Sequence, residues 1–174
     1  MSLLQNISNW LLSKKESRLG VTKTNKQFIS WNQLSKVMII AYDNQLSELV
    51  DFVTACEKEN KKVKVAVIYN GKSEQAPKPP FNHVLLDKKQ FSFFNIINDS
   101  FLQSMNHESY DILVNLGKEN DLKSLSLSKL TKASCKIANF EHPIFDMSID
   151  VDKSNNSHQF LKQVMVYLHM IKTA

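Results

Sequence analysis

Short runs of apolar residues, rich in β-branched side chains, alternate along the chain with segments whose apolar residues recur at helical spacing. Helical patterns cover residues 45–60, 94–105, about 121–132 and about 156–171. The strand-like runs are KVMIIAY (36–42), KKVKVAVIYN (61–70), HVLLD (83–87), DILVNL (111–116), CKIAN (135–139) and DMSID (146–150). Because such alternation is typical of βαβ units, the sequence predicts a Rossmann-like, doubly wound α/β domain. Its single, mostly parallel sheet would have five or six strands, with helices on both faces.

The length of the chain is sufficient for one domain. It has 174 residues, of which 43% are hydrophobic, and no apolar run is long enough to span a membrane. The first residues lack the features of a secretory signal, so we expect a cytoplasmic protein. Cys56 and Cys135 are isolated and are predicted to be buried thiols. We expect a basic N-terminal helix and arm over residues 1–35 and an α/β domain over 36–174.

The excess positive charge lies near the N-terminus. Residues 1–36 hold six basic side chains and one acidic side chain, whereas residues 37–174 hold sixteen of each. A basic arm beside a neutral domain can bind RNA or another polyanion, or an anionic lipid surface. The alternative is a solvated arm that only aids solubility. The candidate polyanion-binding residues are Lys14, Lys15, Arg18, Lys23 and Lys26.

Two amphipathic segments flank the strand-rich part of the chain. The N-terminal segment places Leu3, Leu4, Ile7, Trp10 and Leu11 on one helical stripe. This stripe predicts a helix docked on the domain, and the alternative is a helix on a membrane surface. The final helix has more apolar positions than one buried face needs, including Tyr167 and Met170. It therefore indicates either a broad buried face or a homodimer interface.

One short motif occurs twice, in YDILVNLG (110–117) and in FDMSID (145–150). It consists of an aromatic residue, an aspartate and then apolar residues. In a parallel sheet, Asp111 and Asp146 would stand where strands begin, opposite the usual ligand crevice. We therefore interpret them as structural residues rather than as a catalytic carboxylate pair. The apolar ILV run indicates a central strand, and the alternating MSI run indicates a strand near an edge.

Polar residues follow several of the predicted strands and provide a candidate ligand site. If the strand order is 3-2-1-4-5-6, the order reverses between the first and fourth strands. Asp43, Asn44, Asn115 and Gly117 would then surround one crevice and contact a small ligand. The alternative is that these residues only form strand-to-helix turns.

Several classes of site are absent from the sequence. The three glycines, Gly20, Gly71 and Gly117, are too few and too scattered for a dinucleotide fingerprint or a phosphate-binding P-loop. The five histidines form no pair at metal-ligand spacing, and no serine has the surroundings of a nucleophile elbow. The sequence therefore predicts no cofactor, no metal and no catalytic residues.

The order of the strand-like runs and helical segments along the chain resembles that of a known protein family. The succession of a basic arm, KVMIIAYD, KKVKVAVIYN, LLDKKQFSFFN, YDILVNL, CKIAN, FDMSID and an amphipathic C-terminal helix resembles a family of small bacterial proteins classed only as a domain of unknown function. That resemblance covers nearly the entire chain and implies no known activity. The alternation of YDILVNL with the later strands is also loosely similar, at the level of the fold, to glycosyltransferases of the heptosyltransferase type.

Three functions remain open. The sequence favours a non-catalytic binding or interaction module. The alternatives are a small glycosyltransferase-like or nucleotide-using enzyme with its site at the strand ends, and an RNA-associated accessory protein that binds through its basic arm.

Overall fold

The computed structural model describes residues 3–19, 28–71, 76–105, 109–151 and 156–171, without the side chains of residues 3–5 and 104. This part of the chain contains five α-helices and six strands. In chain order they are α1 (Leu3–Leu19), β1 (Lys36–Tyr42), α2 (Leu46–Lys58), β2 (Lys62–Ile68), β3 (His83–Leu86), α3 (Asp99–Met105), β4 (Tyr110–Asn115), α4 (Leu122–Leu130), β5 (Ala133–Ala138), β6 (Met147–Ser148) and α5 (Ser157–Met170). None of the described helices has the length and hydropathy needed to cross a membrane.

The six strands form one sheet in the order β3-β2-β1-β4-β5-β6, and every neighbouring pair is parallel. The predicted α/β fold and strand order are confirmed. Strand β4 is central and apolar on both faces, whereas β6 is a two-residue edge strand, as the two aspartate-containing runs predicted. Because the strand order reverses between β1 and β4, the switch point of the doubly wound fold lies at their carboxyl ends.

Helices cover both faces of the sheet. On one face, α2 and α5 pack together over the side chains of Val37, Ile39 and Val65. On the other face, residues of α3 and α4 pack over Met38 and Ile40. Both cysteines are buried, and burial raises the pKa of the Cys56 thiol to about 12, so this thiol stays protonated and unreactive.

The segment before β1 is anchored by a buried tryptophan. Trp31 is 2% exposed and its Nε1 donates a hydrogen bond to Glu59 Oε2 at 2.7 Å. The ammonium of Lys61, only 6% exposed, lies 4.8 Å from the centre of the Trp31 ring and 3.3 Å from Glu59. The hydrogen bond from Trp31 is the main cause of a lowered pKa of Glu59. These contacts join residues 28–34 to the end of α2.

One helix is shorter than its sequence pattern predicts. The pattern over 94–105 indicates a helix, but α3 begins only at Asp99. Asn95 has a φ of 58°, in the left-handed region that interrupts a helix and that asparagine tolerates better than most residues. Phe91 and Ile97 form an antiparallel bridge around it. Residues 92–98 are therefore a compact loop, and this loop forms one wall of the groove described below.

Candidate functional site

The four residues predicted to form a crevice lie at the same edge of the sheet. Strands β1 and β4 pair in parallel with Ile40 opposite Asn115, and the Leu116 amide continues the ladder to the Ile40 carbonyl at 2.9 Å. Asp43 and Asn44 follow β1 in a short 3-10 turn, half-buried and exposed respectively. Asn115 and Gly117 are buried at the end of β4. Whether these residues bind a ligand stays a prediction.

Asn115 and Gly117 have close structural partners. The Asn115 side chain is fully buried; its Oδ1 accepts a hydrogen bond from the Gly117 amide at 2.7 Å, and its Nδ2 donates to Ser124 Oγ at 3.4 Å. A Cβ on Gly117 would overlap the Ser124 side chain. The two residues therefore hold the loop after β4 against the first turn of α4.

Further side chains bridge the switch point. The Tyr42 hydroxyl donates to Asp121 Oδ2 at 2.6 Å, and burial, together with this hydrogen bond, raises the pKa of Tyr42. Gln45 Nε2 donates to the Leu116 carbonyl at 2.9 Å and to Ser157 Oγ at 3.0 Å. The end of β1 is thus tied to the starts of α4 and α5. A ligand entering here would have to displace some of these bonds.

The aspartates of the repeated motif bind the backbone of neighbouring strands. Asp111 Oδ2 accepts hydrogen bonds from the amides of Ser35 and Lys36, at 2.7 and 2.8 Å, where β1 begins. Asp146 Oδ2 accepts from the Lys136 amide at 3.0 Å, next to the start of β6. Both carboxylates therefore compensate backbone donors beside the sheet ladder, as a structural interpretation requires. Only Asp111 lies at the edge opposite the crevice, because β6 begins beside the second half of β5 and Asp146 is level with Lys136. That Asp111→Asn and Asp146→Asn change stability rather than ligand binding stays a prediction.

Helix α1 packs on the domain, but only part of the expected stripe faces it: Leu11 packs against the core, whereas Ile7 and Trp10 do not. Ser8 and Leu12 are 3% and 5% exposed and turn toward the domain, while Ile7 and Trp10 are 36% and 61% exposed. The prediction that Ile7 and Trp10 mediate docking is wrong. The buried positions of α1 are Ser8 and Leu12, each one residue after a position of the predicted stripe. Leu3 and Leu4 were also part of the predicted stripe, but their side chains are not among those that the structure describes.

Ion pairs fix which face of α1 is buried. Lys15 Nζ lies 2.6 Å from Asp99 Oδ1 and also donates to the Ile97 carbonyl, and Arg18 pairs with the other oxygen of Asp99. The hydrogen bond from Lys15 is the main cause of a lowered pKa of Asp99. Glu16 pairs with Lys129 of α4 at 3.0 Å. Part of the basic charge of the N-terminal segment therefore serves to dock α1.

A groove runs between α1 and the loop that precedes α3, and we call it the α1 groove. Its volume is about 600 Å³, within the range of roughly 300–1,000 Å³ typical of ligand sites. One wall is formed by α1 and the other by the segment from Ser92 to Ser100. The groove is lined by Leu11, Lys14, Lys15, Arg18, Ser92, Phe94, Ile96, Ile97, Asn98, Asp99 and Ser100.

Exposed aromatic rings stand beside both walls of the α1 groove. On the α1 side, the ammonium of Lys14 lies 5.2 Å from the centre of the Trp10 ring. On the loop side, Phe93 is 85% exposed and packs edge-on against Phe94, with 5.4 Å between ring centres. Three of the predicted polyanion-binding residues line the groove: Lys14, Lys15 and Arg18. Lys23 and Lys26 lie outside the described residues.

A second cavity, of about 440 Å³, lies beside β6 and is lined by Glu141, His142, Pro143, Phe145, Asp146 and Ser148. Burial lowers the pKa of His142, and it also lowers the pKa of nearby Lys136 to about 8. Among the described residues, no three histidine, cysteine or acidic side chains lie close enough to hold a metal ion.

The α1 groove was not predicted from the sequence as a site. The charge excess of residues 1–36 identified the cations of the groove. The helical pattern over 94–105 did not indicate the loop that forms its second wall. The signal that the sequence offered is the pair of adjacent phenylalanines, Phe93 and Phe94, of which the structure leaves Phe93 exposed.

The fold and these surfaces define a small doubly wound α/β protein with a basic, aromatic groove beside its N-terminal helix. The chain belongs to a family of unknown function, DUF6913, whose model matches residues 5–171. The resemblance to a family of small proteins of unknown function is thereby confirmed. No curated protein and no solved structure matches the chain.

Proposed function

We propose that the protein is a non-catalytic binding module that takes an anionic ligand in the α1 groove. The observation that carries this proposal is the combination of charge and exposed aromatic surface at the groove. Its lining contains three cations and one carboxylate, Asp99. Lys14 is exposed, and Arg18 is 66% exposed although one of its nitrogens pairs with Asp99, so both can reach a ligand, whereas Lys15 is largely covered.

Neighbouring residues extend the positive charge. The carbonyl of Lys89 accepts a hydrogen bond from Asn98 Nδ2 at 2.7 Å, which places the exposed turn carrying Lys88 and Lys89 next to the loop wall. Positive charge on both sides of a concave surface concentrates anions there. An anionic ligand therefore fits the groove better than a neutral or cationic one.

The arrangement at the switch point favours a binding module over the alternative of an enzyme acting at the strand ends. The polar groups of Tyr42, Gln45 and Asn115, which would hold a substrate in a doubly wound enzyme, are engaged with Asp121, Leu116 and Gly117. A ligand that used these groups would first have to break their hydrogen bonds, one of which is fully buried at Asn115. The crevice of Asp43, Asn44, Asn115 and Gly117 is therefore the second candidate site.

A pair of charge-matched variants tests the proposal on a heparin column. The double variant Lys14→Gln/Arg18→Gln removes the two exposed cations of the α1 groove. The control, Lys58→Gln/Lys162→Gln, removes two exposed cations from α2 and α5 on the opposite face of the sheet. We expect the groove variant to elute at clearly lower salt than the wild type, and the control to elute close to it, because local charge governs contact with a polyanion.

Equal elution of the two variants would contradict the proposal, since it would mean that heparin senses only net charge. The unfolding curve of the control should match that of the wild type within about 0.5 kcal/mol, because both of its positions are exposed. The groove variant also loses the exposed ion pair between Arg18 and Asp99, so it should lose no more than about 1 kcal/mol.

A further inference from the structure

We propose that the ligand of the α1 groove is a single-stranded nucleic acid whose bases stack on Trp10 and Phe93. This inference rests on the function proposed above and adds the chemical class of the ligand. Proteins that bind single strands combine a positively charged groove with aromatic side chains on which bases stack. The α1 groove has both, with one exposed ring beside each wall.

The two aromatic rings are held in place without being covered. Trp10 is on a regular helix, and the Lys14 ammonium lies over its ring. Phe93 is supported edge-on by Phe94, which itself lines the groove. An aromatic side chain gains free energy when it is buried, so exposed rings are suited to contact with a partner. Trp10 and Phe93 are 61% and 85% exposed and present broad apolar surface to a planar ligand. A nucleobase offers such a planar surface whatever its sequence.

The cations are spaced to contact a chain of phosphates. Lys14 and Arg18 are four residues apart on α1, which corresponds to about 6 Å along the helix axis. Each can therefore meet a different phosphate of an extended strand. The opposite wall supplies the hydroxyl groups of Ser92 and Ser100 and the side-chain oxygen of Asn98, whose Nδ2 is bonded to Lys89. Hydroxyl and carbonyl oxygens are groups that hydrogen-bond to base edges.

A single strand fits these features better than a duplex or a lipid surface. A duplex keeps its base faces stacked on one another, so Trp10 and Phe93 could not reach them. A lipid surface meets a protein at protruding apolar residues, whereas here the cations line a concave groove between the rings. The combination of a groove with flanking rings therefore favours an extended strand.

The experiment measures binding of a fluorescent single-stranded RNA of about 12 nucleotides by anisotropy. Inorganic polyphosphate, which has phosphates but no bases, serves as the matched probe in competition. The variants are Trp10→Ala, Phe93→Ala and Lys14→Gln/Arg18→Gln, and the control is Tyr167→Ala, which removes a 45% exposed ring from α5.

We expect each aromatic variant to weaken RNA binding at least about fivefold more than it weakens polyphosphate binding, because stacking needs a base. The lysine and arginine variant should weaken both ligands. It should also reduce the slope of log affinity against log salt for RNA by about 1.4, or about 0.7 for each lost phosphate contact. Tyr167→Ala should bind both as the wild type does.

Three results would overturn the inference. If the aromatic variants bind RNA like the wild type while the Lys14→Gln/Arg18→Gln variant loses both ligands, the groove is a polyanion site only, and the proposed function stands. If duplex RNA or anionic vesicles bind more tightly than the single strand, the partner belongs to another class. If Lys14→Gln/Arg18→Gln changes neither ligand, the proposed function itself fails.

Discussion

Side-chain hydrogen bonds to the backbone hold the strands at both ends, through aspartates where strands begin and through Asn115 where β4 ends. The sequence placed Asp111 and Asp146 at strand starts, and their carboxylates accept hydrogen bonds from neighbouring backbone amides. The sequence also placed Asn115 at a strand end. It did not predict that the Asn115 side chain is buried and accepts a hydrogen bond from the Gly117 amide. Strand position follows from periodicity, whereas side-chain direction depends on the packing of α4, which periodicity does not contain.

The Asp99 carboxylate should make the protein sensitive to acid. The hydrogen bond from Lys15 and the charges of Lys15 and Arg18 lower the pKa of Asp99 in the folded state. An unfolded aspartate has a pKa of about 3.9. The stability contributed by this carboxylate is therefore present above that value and is lost as the pH falls through the lowered pKa of the folded state.

We expect Asp99→Asn to reduce the loss of stability between about pH 5 and pH 2, measured as the shift of the urea midpoint. Asp51→Asn, which changes a 79% exposed carboxylate on α2, is the control and should keep the acid response of the wild type. An unchanged response in Asp99→Asn would mean that the pairing with Lys15 and Arg18 contributes nothing to folding.

At the scale of elements, α1 shows where amphipathic patterns mislead. The predicted stripe contains Ile7, Trp10 and Leu11, yet of these only Leu11 packs against the domain, beside the buried Ser8 and Leu12. The small Ser8 permits close approach, and the Lys15, Arg18 and Glu16 ion pairs fix the rotation of the helix. The pattern predicted the helix and its docking, but the docked face depends on partners that are distant in sequence.

Two apolar substitutions on α1 test this orientation. Leu12→Ala removes a side chain that is 5% exposed and packs in the core with α4, so we expect a loss of about 2–4 kcal/mol in the free energy of unfolding. Ile7→Ala changes a side chain on the solvent face and should cost less than about 1 kcal/mol. Urea denaturation measures both. A larger cost for Ile7→Ala would mean that α1 docks through the predicted stripe.

The last helix, α5, has a comparable exposed surface. Its inward residues Phe160, Leu161, Val164 and Leu168 are buried as predicted, while Tyr167 and Met170 are 45% and 67% exposed. The prediction of a broad buried face on α5 is therefore wrong for Tyr167 and Met170. A homodimer through the exposed face stays a prediction.

At the scale of the whole molecule, the fold was predictable and the groove was not. Six strand-like runs with their intervening patterns leave few topologies open, because connections between parallel strands follow strict rules, and the strand order assumed for a doubly wound sheet is the one found. The α1 groove needs two further facts, the docked face of α1 and the break of the helical pattern at Asn95. The docked face of α1 depends on contacts between segments roughly 80 residues apart, such as that between Arg18 and Asp99. The break at Asn95 is accompanied by a local bridge between Phe91 and Ile97, which the helical pattern does not indicate.

Ligand binding in the α1 groove, and not at the strand ends, can be located by an NMR titration of the wild-type protein with single-stranded RNA, followed by backbone amide shifts. We expect the largest shifts on residues 10–18 and 92–100, the two walls of the groove. Shifts centred on residues 43–45 and 115–121, with residues 10–18 and 92–100 unchanged, would contradict it and would place the site at the switch point of the sheet.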